Sequence, residues 1–190
     1  MLADLTRFDM KGKSNGFPRF INVNIEYIKE KSQLRRLNRK NLVIAEGKIN
    51  REILESKNID VLLSPEKHSM QDFFHNRNSG LNHVLCKIAK KNNIAIGINI
   101  NEVLNLNIIE RSLRIGRIMQ NIRLCRKYKI LIVAGSFAKD EEELMNYNDM
   151  VSFLESIGMT PKEARDSFSN IGEIIENKKG FIGDGIKIID

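Results

Sequence analysis

A chain of 190 residues and 21.9 kDa, with 42% hydrophobic and 29% charged residues, suffices for one domain with a substantial core, expected to span 1–190. The net charge of +7 and pI near 9.4 point to an anionic partner. No apolar run approaches the ~18 residues of a membrane span, residues 1–13 offer no signal core, and Cys86 and Cys125 form no CxxC pair. A zinc ribbon is therefore excluded, neither a membrane span nor a secretory leader is expected, and a reducing cytoplasm is.

Residues 2–8 read as a short first strand, and 10–16 as a turn-rich link without helical period. Residues 20–25 alternate apolar and polar, as a half-buried strand does. Residues 27–40 read as a polar helix, with Lys29, Lys31, Arg35, Arg36, Arg39 and Lys40 against Glu30. Such a face is either solvated surface or an RNA-facing patch. A strand over 42–45 and a short helix over 51–57 lead to the most informative stretch, 59–100.

That stretch opens with the apolar run 59–63 and passes through a polar loop holding Pro65, Asn76, Arg77, Asn78, Ser79 and Gly80. Leu81, Val84, Leu85 and Ile88 then fall at i, i+3, i+4 and i+7, one stripe of a helix, with Asn78 or Ser79 as its cap. A second apolar run, 94–100, completes a βαβ unit, which requires parallel strands. A long polar loop at the carboxyl end of a strand is where α/β folds build sites. Farther on, Ile115, Ile118, Met119, Ile122 and Cys125 mark a further helix, and residues 130–133 a buried strand. Helices are expected over 149–157, over 160–168 with a capping box from Thr160 to Glu163, and over 170–179. A last strand or arm is expected over 186–189. Recurring strand, helix and strand with buried Ile, Val and Leu give an α/β class with a mainly parallel sheet, doubly wound or a reduced barrel.

Chemistry is sparse. His68, His75 and His83 occur in neither HxH nor HExxH, Ser136 lies in GSFA without a partner base, and no phosphate loop is present. The run from Asp140 to Glu143 reads as the start of an exposed helix. Positive charge is the stronger signal. Between Glu110 and Asp140 stand eight basic residues and no acid: Arg111, Arg114, Arg117, Arg123, Arg126, Lys127, Lys129 and Lys139. Arg114, Arg117, Arg123 and Lys127 fall off the apolar stripe and are expected to face outward. Arginine forks suit phosphate oxygens, so a folded RNA is the natural partner.

IDVLLSP, NSGLNHVLCKIAKKNNIAIGINI, ERSLRIGRIMQNIRLCRKYKILIVAGSFA, NDMVSFLESIGMT and PKEARDSFSNIGEII together resemble the archaeal ribonuclease P protein component 3 family, over roughly two-thirds of the chain. The resemblance implies a TIM-like (β/α) barrel related to the polymerase and histidinol phosphatase barrels, without their metal ligands. The barrel is expected to be reduced at its N-terminus, since ADLTRFD leads almost directly into FINVNI. It implies a ribonuclease P subunit that binds the catalytic RNA, pairs with protein component 2 and other protein subunits, and acts on precursor tRNA indirectly. No cofactor is expected on the chain itself, Mg2+ belonging to the RNA catalyst, and no catalytic or metal residues are expected. Arg77 and Arg111 match the family's basic positions and become RNA-contact candidates; Arg114, Arg117 and Lys139 join them on charge. The competing expectation is a metal-dependent phosphoesterase of the same barrel type, using the three histidines.

Overall fold

The computed structural model describes residues 2–10, 15–38, 41–68, 71–72 and 74–179. Seven strands appear in it: β1 (Asp4–Thr6), β2 (Phe20–Asn22), β3 (Ile25–Ile28), β4 (Ile44–Gly47), β5 (Val61–Leu63), β6 (Ala95–Asn99) and β7 (Ile132–Gly135). The helices are α1 (Lys31–Leu34), α2 (Asn50–Glu55), α3 (His83–Lys91), α4 (Ile100–Leu104), α5 (Ile108–Tyr128), α6 (Tyr147–Ser156), α7 (Pro161–Ser167) and α8 (Asn170–Lys179).

Every strand pairing is parallel, in a five-stranded sheet ordered β3-β4-β5-β6-β7 and a two-stranded sheet β1-β2. The two sheets meet at both ends. Phe137 N–H donates to the Leu5 carbonyl and Arg7 N–H to that of Ala138, each at 2.7 Å, tying β1 to the end of β7. The Asp4 carboxylate reinforces this seam, accepting the Ser136 N–H at 2.8 Å and its hydroxyl at 2.6 Å. At the other end β2 continues through Val23 and Asn24 into β3, and Val23 N–H reaches the Thr6 carbonyl at 2.8 Å. The strands thus form a small barrel-like ring of parallel neighbours.

The alternation of side chains along a strand explains the three apolar layers. Leu5, Ile44, Val61, Leu63 and Val133 point inward and pack with Ile171 of α8. Ala45, Leu62 and Ile96 point outward against α2, α3 and α5, while Ile98 and Ala134 face α5, α6 and α7. The connection from β1 to β2 contains no helix among its described residues. Phe17 covers the sheet instead, buried edge-on to Tyr147 and Phe168 with centroids 5.1 and 5.5 Å apart.

Several expectations need correction. The stretch 20–25 is not one strand: Phe20–Asn22 pairs with β1 and Ile25–Ile28 with β4. Pairing with β4 also extends the strand to Ile28, so the polar helix expected over 27–40 shrinks to the single turn α1. Arg39 and Lys40, part of the link over 10–16 and the strand over 186–189 lie outside the described residues. Helix α3 is capped by Asn82, not by Asn78 or Ser79, because Gly80 adopts a φ of +74° that breaks the helical path. Its buried residues are Cys86 and Ala89, and Val84 is exposed. The acidic run at 140 forms a turn in which Asp140 accepts the N–H groups of Glu142 and Glu143 at 3.1 Å. Helix α7 matches its expected start, with Thr160 and Glu163 forming the capping box.

Candidate functional site at the carboxyl ends of the strands

Parallel strands bring their carboxyl ends to one side of the ring. Inward alternation after Ile44 places Glu46 there, 2% exposed. The left-handed residue Ser64, at φ +45°, turns the chain out of β5 into Pro65, Glu66, Lys67 and His68. Asn99 at the end of β6 caps α4 by accepting the Glu102 N–H at 3.1 Å, which brings Glu102 to the same place. Helix α5 contributes Arg114.

These groups form an alternating charge cluster. The Lys67 ammonium lies 2.7 Å from Glu46 Oε1 and 2.9 Å from Glu102 Oε1. Arg114 Nη1 stands 3.5 Å from Glu102 and 3.9 Å from Glu66, and His68 Nε2 3.6 Å from Glu46. Burial pushes the Glu66 carboxyl up to about 7, against the opposing pull of Arg114 and a 3.4 Å hydrogen bond from Asn121. Burial also disfavours charge on Lys67, but Glu46 and Glu102 outweigh it and raise the ammonium above its ordinary value. Lys67 is therefore a fixed cation rather than a base. Burial lowers His68, so its imidazole is neutral near pH 7.

The histidines do not converge. His68 sits on Glu46, His75 stacks edge-on against the exposed Phe74, and His83 opens α3. Among the described residues no three His, Cys, Asp or Glu come together as a metal-holding group. Cys86 and Cys125 are buried free thiols, and burial pushes Cys86 up to about 11.

A second cluster zips the loop after β5 onto α5. Arg117 Nε donates to Asp72 Oδ1 at 2.8 Å, and the Asn78 N–H reaches the same oxygen at 2.9 Å. Gln120 donates to the Arg77 carbonyl at 3.0 Å and to Ser79 Oγ at 3.1 Å, and Asn121 to the Ser79 carbonyl at 2.9 Å. From the opposite side Asn50 donates to the carbonyls of Pro65 and Gly80 at 2.8 and 3.1 Å. Desolvation opposes the charge on Asp72, but its hydrogen bonds and the two arginines hold it below the usual carboxylate range.

The arginine candidates part company here. Arg77 is half exposed, with Nη1 3.8 Å from Asp72. Arg111 is half-buried and hooks the loop before α5 through Nη2 to the Leu106 carbonyl at 2.8 Å. Arg114 and Arg117, expected to face outward, are instead drawn inward to Glu66, Glu102 and Asp72. Lys139 is exposed on the turn after β7, as are Arg123, Lys127 and Lys129 on α5 and its cap. Arg126 is neutralised by Glu163 at 2.6 and 2.7 Å. A segment free of acids in sequence is thus not free of them in space. Reading the sequence missed Glu46, Glu66, Lys67, Asp72 and Glu102; the available signal was SPEKH directly after an apolar run, at the carboxyl end of a parallel strand.

Three comparisons bear on this arrangement. The model of the family described as RNase P subunit p30 matches residues 19–180. Ribonuclease P protein component 3 of Methanosarcina mazei is 30% identical over 146 residues, 75% of this chain and 58% of that protein. Its counterpart in Methanococcus maripaludis is 25% identical over 169 residues, 85% of this chain and 69% of that protein. A chain of the cryo-EM structure of archaeal ribonuclease P with mature tRNA superimposes with a TM-score of 0.70 at 24% identity, covering 87% of this chain and 75% of that one. The last is a likeness of fold.

Proposed function

The chain belongs to the ribonuclease P subunit p30 family, and from that premise we propose that it is a protein subunit of ribonuclease P. In this reading it binds the catalytic RNA and, with protein component 2, assists removal of the 5′ leader from precursor tRNA in the cytoplasm. Chemistry is left to the RNA and its own Mg2+. The relatives named above support the assignment, although the chain matches 58% of the length of the first of them.

The observation that carries the reading is the distribution of charge. At the mouth of the strands, where a barrel enzyme keeps its reactive groups, Lys67 and Arg114 are engaged by Glu46, Glu66 and Glu102. Exposed positive charge stands on the outside, at Arg123, Lys127, Lys129 and Lys139, and Arg77 is half exposed. Arg111, half-buried, contributes through the loop it fixes, and Arg114 and Arg117 act from within the fold. A phosphate-rich partner matches such a surface. Among the described residues no helix is long and apolar enough to cross a membrane.

The test is reconstitution. Ribonuclease P RNA with component 2 is assayed for cleavage of precursor tRNA with and without this chain, at a series of salt concentrations. Stimulation that fades steeply with salt is expected. Equal cleavage with and without the chain would remove the proposal.

A further inference from the structure

Arg77 is the candidate cation that the fold holds in place without neutralising it closely, and one face of α5 does the holding. At Gly116 an added Cβ would collide with Cζ, Nη1 and Nε of Arg77, so the guanidinium lies against bare helix backbone. One turn on, Gln120 fixes the Arg77 carbonyl at 3.0 Å. Between them Arg117 anchors Asp72 at 2.8 Å through Oδ1, leaving Oδ2 3.8 Å from Arg77 Nη1. That last separation exceeds the ~2.8 Å of a charge-assisted hydrogen bond, and the Arg77 side chain stays 49% exposed. Its donors remain available while its rotamer and backbone are set, so the ordering that a contact requires occurs during folding instead of on binding.

We infer that Gly116, Asp72 and Gln120 are positioning residues that hold Arg77 ready for a phosphate oxygen of a folded RNA, an inference that rests on the RNA-binding reading above. Gly116 is the sharpest of the three. The atoms a methyl group would meet there belong to the end of a flexible side chain, so alanine displaces the guanidinium and leaves the helix intact.

The experiment measures binding of the full chain to its cognate ribonuclease P RNA across a salt series, with thermal melting alongside. Arg77→Ala is expected to reduce the slope of log K against log salt by about 0.7 to 0.9, the contribution of one phosphate. Gly116→Ala is expected to reproduce most of that loss at an unchanged melting temperature, and the double variant to lose no more than Arg77→Ala alone. Gln120→Leu, which releases the loop backbone, provides the same reading should Gly116→Ala fail to fold. Wild-type slopes in Gly116→Ala and Gln120→Leu overturn the inference, whether or not Arg77→Ala loses binding. A wild-type chain that shows no salt-dependent binding overturns the RNA reading itself, and the inference with it.

Discussion

Arg117 and Asp72 stand 45 residues apart in sequence and are joined by a 2.8 Å hydrogen bond from Nε to Oδ1. The arginine side chain is 9% exposed and the aspartate 24%, so the pair is shielded more on one side than the other. Arg117→Ala leaves Asp72 with Arg77 and the Asn78 N–H, and frees the loop from α5. Truncating one member of a fully buried pair costs ~3–5 kcal/mol; with Asp72 partly in water, a loss of about 1 to 3 kcal/mol is expected in urea unfolding. Lys139→Ala, on the surface, is expected to stay within about 0.5 kcal/mol of wild type.

At the mouth of the strands, Lys67→Met leaves Glu46 and Glu102 without the ammonium between them. A destabilisation of about 3 kcal/mol is expected, in the range for an uncompensated buried charge. Adding Glu46→Gln to Lys67→Met is expected to recover part of it, because the remaining charge at that point is then removed. A double-mutant cycle on chemical denaturation measures the coupling; additive losses would mean the two residues act separately.

Glu66 gives the chain a pH dependence of definite sign. Its folded value, about 7, lies above the ordinary 4.5, so the folded state binds the extra proton. The associated stability is full below 4.5 and is lost as pH rises through 7, a difference of about 3 kcal/mol. Glu66→Gln imitates the protonated form. The variant is expected to match wild type near pH 4 and to melt higher than wild type at pH 8. Parallel melting curves for the two proteins over that interval would assign the buried proton elsewhere.

Side-chain burial separates two leucine-type truncations that periodicity alone treats alike. Ile122 is 2% exposed between α5 and the sheet, and Ile122→Ala is expected to cost about 2 to 5 kcal/mol. Leu85 packs against the core but is only partly buried, so Leu85→Ala should remain below about 2 kcal/mol. Equilibrium unfolding of both variants under one set of conditions decides the order.

The strands from β4 to β7 and the capping box at Thr160 were legible because local pattern and tertiary placement agree there. Apolar runs marked the parallel strands, and Thr160, Pro161 and Glu163 specify a helix start on their own. The N-terminal elements were not, because the division of residues 20–28 into β2 and β3 depends on which distant strands each half meets. The same limit applied to the arginines. Their spacing on α5 is visible in sequence, but Asp72, Glu66 and Glu102 arrive from other elements and reverse the orientation that spacing implies for Arg114 and Arg117. The family resemblance stood on contiguous segments, and the family match over 19–180 bears it out.

The bond between Asp4 and Ser136 spans 132 residues, which sets a schedule for the growing polypeptide. At ~5–20 residues per second a ribosome needs roughly 7 to 26 seconds to deliver the serine after the aspartate has appeared. Throughout that interval β1 has β2 on one flank and nothing yet made for the other, and an open strand flank is the kind of surface that pairs with foreign chains. Only three residues long, β1 offers little for such a stranger to grip, and its carboxylate waits solvated until the last segment of the ring arrives to enclose it.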